Sequence, residues 1–92
     1  MPHRLIYHPA VLNEDLASIP RNLHARIQKA LEQRLTTEPT LYGESLRHHL
    51  KGYWKLRVGD YRVVYQIVGQ EVWVYRINHR KDVYTMPMRR FL

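Results

Sequence analysis

The fold turns on the stretch from Tyr53 to Tyr84, YWKLRVGDYRVVYQIVGQEVWVYRINHRKDVY. Its β-branched and aromatic residues alternate, and cations recur at every second place: Lys55 and Arg57, then Arg62, then Arg76 and, past Asn78, Arg80. Successive side chains of a strand point to opposite faces, so one face of such a sheet can be apolar while the other carries charge. The Gly59-Asp60 pair between Val58 and Tyr61 predicts a two-residue hairpin turn. That turn would set the register, pairing 58 with 61, 57 with 62, 56 with 63 and 54 with 65. Paired residues share a face. Trp54, Leu56, Val58, Tyr61, Val63, Tyr65 and Ile67 are therefore expected on the core side, with Tyr53, Lys55, Arg57, Arg62, Val64 and Gln66 on the other.

The second turn, Val68-Gly69-Gln70, decides where Arg76 goes. A two-residue turn at Gly69-Gln70 would send Arg76 and Asn78 into the core and leave Trp73, Tyr75 and Ile77 outside. A three-residue loop reverses this and sets Arg76 beside Arg62. Burying an unpaired arginine costs several kcal/mol, whereas burying Trp or Tyr gains ~2 kcal/mol or more. The three-residue loop is therefore the expected one. Asn78 to Asp82 turns the chain, Val83 to Thr85 reads as a short edge strand, and Pro87 to Leu92 as a terminal helical turn.

Upstream, His3 to Tyr7 alternates weakly and predicts an opening strand. Pro9 suits a first helical turn, and Leu12, Leu16 and Ile19 then follow at helical spacing. Pro20 ends that helix or begins the next, which runs to about Thr36 with Leu23, Ile27, Ala30, Leu31 and Leu35 on one face. The two helices read as an α-hairpin. Thr36 to Lys51 is a connection of about a dozen residues, with one helical turn expected near Glu44 to Leu50. The order β-αα-βββ describes an α+β fold, an antiparallel sheet covered on one face by helices.

Residues 1–92 form a single domain, large enough to bury roughly 60% of its unfolded surface. With 15 Lys+Arg against 8 Asp+Glu the formal charge is +7 and the pI about 10.1, which favours nucleic acid and acidic proteins as partners. The absence of cysteine excludes disulfides, thiolate nucleophiles and Cys-based zinc sites. The six histidines include adjacent His48 and His49 but no second pair at ligand spacing, so no metal and no cofactor is expected. His3, His8 and His24 read as surface residues. No apolar run approaches the ~20 residues that span a bilayer. MPHRLIYHPAV has no secretory pattern, so a cytoplasmic location without membrane association is expected.

LKGYWKLRVGDYRVVYQI followed by VYRINHRKDVY resembles the RelE/ParE superfamily of bacterial toxins, in its RelE-like branch. The resemblance spans most of the chain, from the opening strand and α-hairpin to the His-Arg…Tyr ending. It implies a RelE-like toxin of a type II toxin–antitoxin system, a metal-free endoribonuclease that cleaves mRNA in the ribosomal A site. It also implies a cognate antitoxin, and a toxin–antitoxin hetero-oligomer. Position by position, it implies catalytic roles for Lys55, Arg62, Arg80 and Tyr84. Tyr53 stands where the family's pattern has a further lysine. ParE-like members share the fold and act on gyrase, which is the alternative reading.

Metal-free RNA cleavage needs a base for the 2′-OH, cations for the phosphorane-like charge and an acid for the leaving oxygen. Arg62 and Arg80 suit the cationic task because guanidinium binds phosphate bidentately and keeps its charge. Like charges around Lys55 disfavour its protonated form, which fits it as the base. His79 or His49 is the other candidate. Tyr84 suits the acid, or stacks on a base. Arg57, Arg76, Tyr53 and His79 are expected to contact RNA. Arg57 directly opposite Arg62 is a like-charge cross-strand pair, unfavourable in an isolated sheet and relieved by bound phosphate or an acidic partner.

Overall fold

The computed structural model describes residues 2–82. β1 (Arg4–Tyr7) leads into a π-helical turn at Val11–Asp15 and a 3-10 turn at Leu16–Ser18. A second 3-10 turn, Arg21–Leu23, opens onto α1 (His24–Leu35). A single helical turn α2 (Pro39–Tyr42) and the two-residue β2 (Glu44–Ser45) follow, with a 3-10 turn at His48–Leu50. The chain then enters β3 (Trp54–Val58), β4 (Tyr61–Val68) and β5 (Glu71–His79). The five strands are ordered β1-β5-β4-β3-β2, with helices over one face. The fold class is the expected α+β. The expected strand at Val83 to Thr85, the turn at Pro87 to Leu92 and Tyr84 lie outside the described residues.

The first hairpin matches the sequence reading pair for pair: Val58 with Tyr61, Arg57 with Arg62, Leu56 with Val63 and Trp54 with Tyr65. Gly59 takes φ +60° at the first central position of the turn. This is the type II′ pattern, whose twist matches the flanking strands and which needs glycine there. The sheet departs from expectation at its edges. β1 joins β5 in parallel, Arg4 opposite Glu71 to Tyr7 opposite Val74, so the sheet is mixed. β2 adds an edge strand on β3, Glu44 opposite Lys55. The helical turn expected over Glu44 to Leu50 forms at its end, as the 3-10 turn His48–Leu50, and α2 adds a turn that starts at Pro39, a residue suited to a helix start.

The β4–β5 hairpin corrects the predicted loop. Val68 pairs with Glu71 across a two-residue Gly69-Gln70 turn, and Gly69 repeats the positive φ of Gly59, +60°. Val72 and Val74 therefore enter the core, and Trp73 does not. Between Tyr65↔Val74 and Val64↔Arg76 the ladder carries a β-bulge with Tyr75 as its extra residue. One inserted residue re-phases the rest of the strand. Ile77 becomes core and Arg76 lies opposite Val64. The expected placements of Arg76 and Ile77 are met by a different route, whereas Trp73 and Tyr75 are half-buried outside the core.

The first helix also differs. Instead of a regular α-helix burying Leu12, Leu16 and Ile19, the chain buries Val11, Asp15 and Ile19 and leaves Leu12 55% exposed. The backbone N–H of Leu16 reaches back five residues to the Val11 carbonyl. Such a wide turn displaces the buried stripe from α-helical phase. α1 behaves as read, burying Ile27, Leu31 and Leu35 against Leu56, Val63 and Val74 of the sheet. Each such aliphatic contributes roughly 1.5–3 kcal/mol when fully buried. His24 is not a surface residue: its Nε2 lies within hydrogen-bond distance of the carbonyls of Leu16 (2.8 Å) and Ile19 (3.0 Å), closing the joint between the helical segments.

Candidate nucleic-acid interface

Strand alternation and the bulge bring six side chains to the sheet face away from the helices: Tyr53, Lys55, Arg57, Arg62, Tyr75 and Arg76. They form two cross-strand rows. Arg57 lies opposite Arg62 and Arg62 opposite Asn78; Lys55 lies opposite Val64 and Val64 opposite Arg76. Arg57 is exposed. Arg62 is only 9% exposed and Arg76 only 2%, so this face is not an evenly solvated surface. Guanidinium taken out of water must be hydrogen-bonded or paired. Arg62 Nη1 donates to the carbonyls of Gly59 and Tyr61, each at 3.0 Å, and Arg76 Nη1 to Asn78 Oδ1 at 3.4 Å.

Those bonds orient the cations. The Arg62 guanidinium is drawn back to the β3–β4 turn. Arg80, exposed just beyond β5, reaches the same turn through its backbone N–H, which donates to the Asp60 carbonyl at 2.8 Å. Lys55 has a partner absent from the sequence reading: its Nζ lies 3.6 Å from Glu44 Oε2, on an edge strand only two residues long. The signal for that pair is faint, since two residues carry no periodicity.

At the far end of the face the character becomes aromatic. Tyr53 meets Tyr75 edge-on at 5.5 Å between ring centroids, and the Tyr75 hydroxyl donates to Gln66 Oε1 at 2.9 Å. Burial raises the Tyr75 phenol above its ordinary value, and the neighbouring Tyr53 adds to the effect. The sequence reading puts Tyr75 in the core; the bulge delivers it here.

His79 is not brought to this face. It pairs with Tyr61, packs edge-on against that ring at 5.6 Å, and so stands on the helix-covered side, away from Arg62. Tyr84 and the His49 side chain lie outside the described structure. Among the described residues, no group of three or more His, Asp or Glu is placed to hold a metal ion, and no helix is long and apolar enough to cross a membrane.

Residues 5–84 match the family model described as ParE toxin of type II toxin-antitoxin system, parDE. The chain belongs to the ParE/RelE toxin family. Toxin RelG of Mycobacterium tuberculosis is 33% identical over 72 residues, 76% of this chain and 83% of that protein. The structure of the toxin–antitoxin complex RelBE2 from the same organism contains a chain that superimposes with a TM-score of 0.78 at 28% identity, over 87% of this chain and 100% of that one. Escherichia coli RelE, as a mutant in the free state, shares the fold over the full length of both chains, with a TM-score of 0.73 at 20% identity. This ParE/RelE-family toxin carries Lys55, Arg57, Arg62 and Arg76 on the helix-free face of a RelE-like sheet.

Proposed function

We propose that this toxin is a ribosome-dependent, metal-free endoribonuclease that cleaves mRNA in the A site and so arrests translation. The observation that carries the reading is the pair of nearly buried arginines, Arg62 and Arg76, on one sheet face with Lys55. Cations in a water-poor site interact far more strongly with a developing phosphorane charge than exposed ones do, and their fixed bonds reduce reorganisation during reaction. The RelE-like placement of Lys55, Arg62, Arg80 and Tyr84 in the sequence supports the same reading.

In this scheme Arg62 and Arg80, both tied to the β3–β4 turn, hold the scissile phosphate. Arg57 contacts an adjoining phosphate, and Arg76, 2% exposed, adds its charge to the face from beneath. Lys55 takes the 2′-OH proton and Tyr84 supplies the proton to the leaving oxygen. Tyr53 and Tyr75 lie where an unpaired base would stack, and His79 meets RNA only from the rim of the sheet. The toxin is held inactive in the cytoplasm by an acidic antitoxin segment laid over this face, forming a hetero-oligomer. Charge complementarity and the complexed state of the RelBE2 relative support that partner.

Arg62→Ala tests the assignment. With translating ribosomes it should lower mRNA cleavage by about a hundredfold or more, the range for losing a key transition-state donor, with unchanged circular dichroism. Cleavage at the wild-type rate would overturn it. The family model's ParE description favours a second reading, inhibition of gyrase by binding. Blocked supercoiling with translated mRNA intact would select that reading.

A further inference from the structure

Asp15 is the buried carboxylate that the proposed chemistry does not use. It is 3% exposed, and its Oδ2 accepts the backbone N–H of Ile77 at 2.9 Å, across 62 residues of sequence. We propose that Asp15 is a positioning residue: its grip on the Ile77 amide holds the β-bulge at Tyr75 in the phase that sends Arg76 to the cationic face.

The backbone directions carry this inference. His8 N–H donates to the Val74 carbonyl at 2.8 Å, so the polar groups of Val74 face β1. In an unbroken strand those of Arg76 would face the same side, and those of Ile77 would face β4. The bulge inverts this order. It turns the Ile77 N–H toward the edge where β1 has ended, and Asp15, on the helical turn that follows β1, meets it there. A ladder continued without the bulge from Tyr65↔Val74 would pair Val64 with Tyr75, Val63 with Arg76 and Arg62 with Ile77. Arg76 would then enter the core and Ile77 the cationic face. That ladder would offer Asp15 the amide of Arg76 instead, one residue away. A charged acceptor at that place therefore distinguishes the two phases, and charge-assisted bonds of this kind are roughly twice as strong as neutral ones.

The consequence for cleavage rests on the nuclease reading above; the latch itself does not. The test uses the isotope-labelled toxin with Asp15→Asn and Asp15→Leu, each also made in a chain lacking Tyr75. Asp15→Asn keeps a weaker acceptor. It should speed hydrogen exchange of the Ile77 amide roughly three- to tenfold relative to Val72 and Val74, and keep cleavage within about threefold. Asp15→Leu should weaken the cross-strand nuclear Overhauser effect between Val63 and Ile77 and lower kcat about tenfold or more, with KM for ribosomes little changed. Deleting Tyr75 lets plain alternation put Arg76 outward and Ile77 inward, so in that background the Val63–Ile77 effect should survive Asp15→Leu. An unchanged Ile77 exchange rate in Asp15→Asn overturns the latch, even if Asp15→Leu does not fold. So does a Val63–Ile77 Overhauser effect that Asp15→Leu weakens equally with and without Tyr75, which would mark Asp15 as a general stabiliser. A wild-type toxin that leaves translated mRNA intact sinks the nuclease reading alone, and the exchange and Overhauser measurements still judge the latch.

Discussion

Replacing Tyr65 by phenylalanine removes one oxygen from the centre of the fold, and its effect can be worked out in both size and pH dependence. Tyr65 is 0% exposed, and its hydroxyl donates to the Pro39 carbonyl at 2.6 Å. Pro39 is itself buried, so the substitution removes a hydrogen bond made inside the fold. Such a bond contributes about 0.5–1.5 kcal/mol net. At this chain length each kcal/mol lowers Tm by about 4–8 °C.

A pH signature reports the burial of the phenol independently. Burial holds the Tyr65 phenol far above the ordinary value of 10.0. Near and above pH 10 the unfolded chain loses this proton while the folded chain keeps it. The unfolded state then binds fewer protons, so stability falls as pH rises. The contribution is complete below the unfolded value and is lost progressively toward the raised folded one. Urea unfolding at pH 7 and at steps up to about pH 11 checks both points. Tyr65→Phe should be less stable at pH 7 yet decline less steeply above pH 10. A variant as stable as wild type at pH 7, or one with an unaltered alkaline decline, would refute the argument. The same bond ties α2 to the sheet, and α2 leads directly into β2, which supplies the Glu44 facing Lys55.

Gly43→Ala should destabilise by about 1–3 kcal/mol, the usual range for overpacking, because a Cβ there would overlap the Tyr65 hydroxyl. Urea unfolding should show a smaller loss in the Tyr65→Phe background, which removes the more severely overlapping of two ring-end atoms. Glu71→Gln addresses the acid side. The hydrogen bond from Arg4 holds the Glu71 carboxyl below its usual value, and the Trp73 Nε1–H donates to the same carboxylate. The stability this adds is present above the ordinary carboxylate range and is lost as pH falls through the lowered value. The variant should therefore show a shallower decline in thermal stability between about pH 5 and pH 3, and a decline identical to wild type would count against the assignment.

The legible parts of this fold were those written in local chemistry. Gly59-Asp60 fixed one hairpin, and the 3.6-residue stripe of Ile27, Leu31 and Leu35 fixed α1. Gly69-Gln70 carried the same Gly-first turn signal as Gly59-Asp60, yet the cost of burying Arg76 argued against a two-residue loop. Both arguments were sound, and the chain satisfies both by inserting Tyr75. A bulge leaves no composition signal, because an extra residue in a strand looks like any other. The π turn at Val11–Asp15 escaped for a related reason: it changes the phase of the stripe, not its residue types. Asp15 reads as a surface acid until the amide it serves, 62 residues away, is in place. On the site, alternation grouped Lys55, Arg57, Arg62 and Gln66 from sequence and the register argument added Arg76 and Asn78, whereas Glu44 and Tyr75 joined them only through tertiary pairing.

Repulsion on the cationic face is locally offset. Arg57 stands directly opposite Arg62, a like-charge arrangement that costs a few tenths of a kcal/mol to about 1 kcal/mol in a sheet. Arg62 answers by turning its guanidinium to the carbonyls of Gly59 and Tyr61, Arg76 by bonding Asn78, and Lys55 by pairing with Glu44. Three of those four acceptors are neutral oxygens. They orient a guanidinium without themselves cancelling its charge, and stabilising a developing phosphate anion draws on such charge. Had carboxylates filled these places, the sheet would be more stable and its cations already neutralised. The carboxylate among the four, on Glu44, stands at the edge beside Lys55, the residue proposed for proton transfer. The face thus divides into arginines bonded to neutral oxygens and a lysine beside a carboxylate.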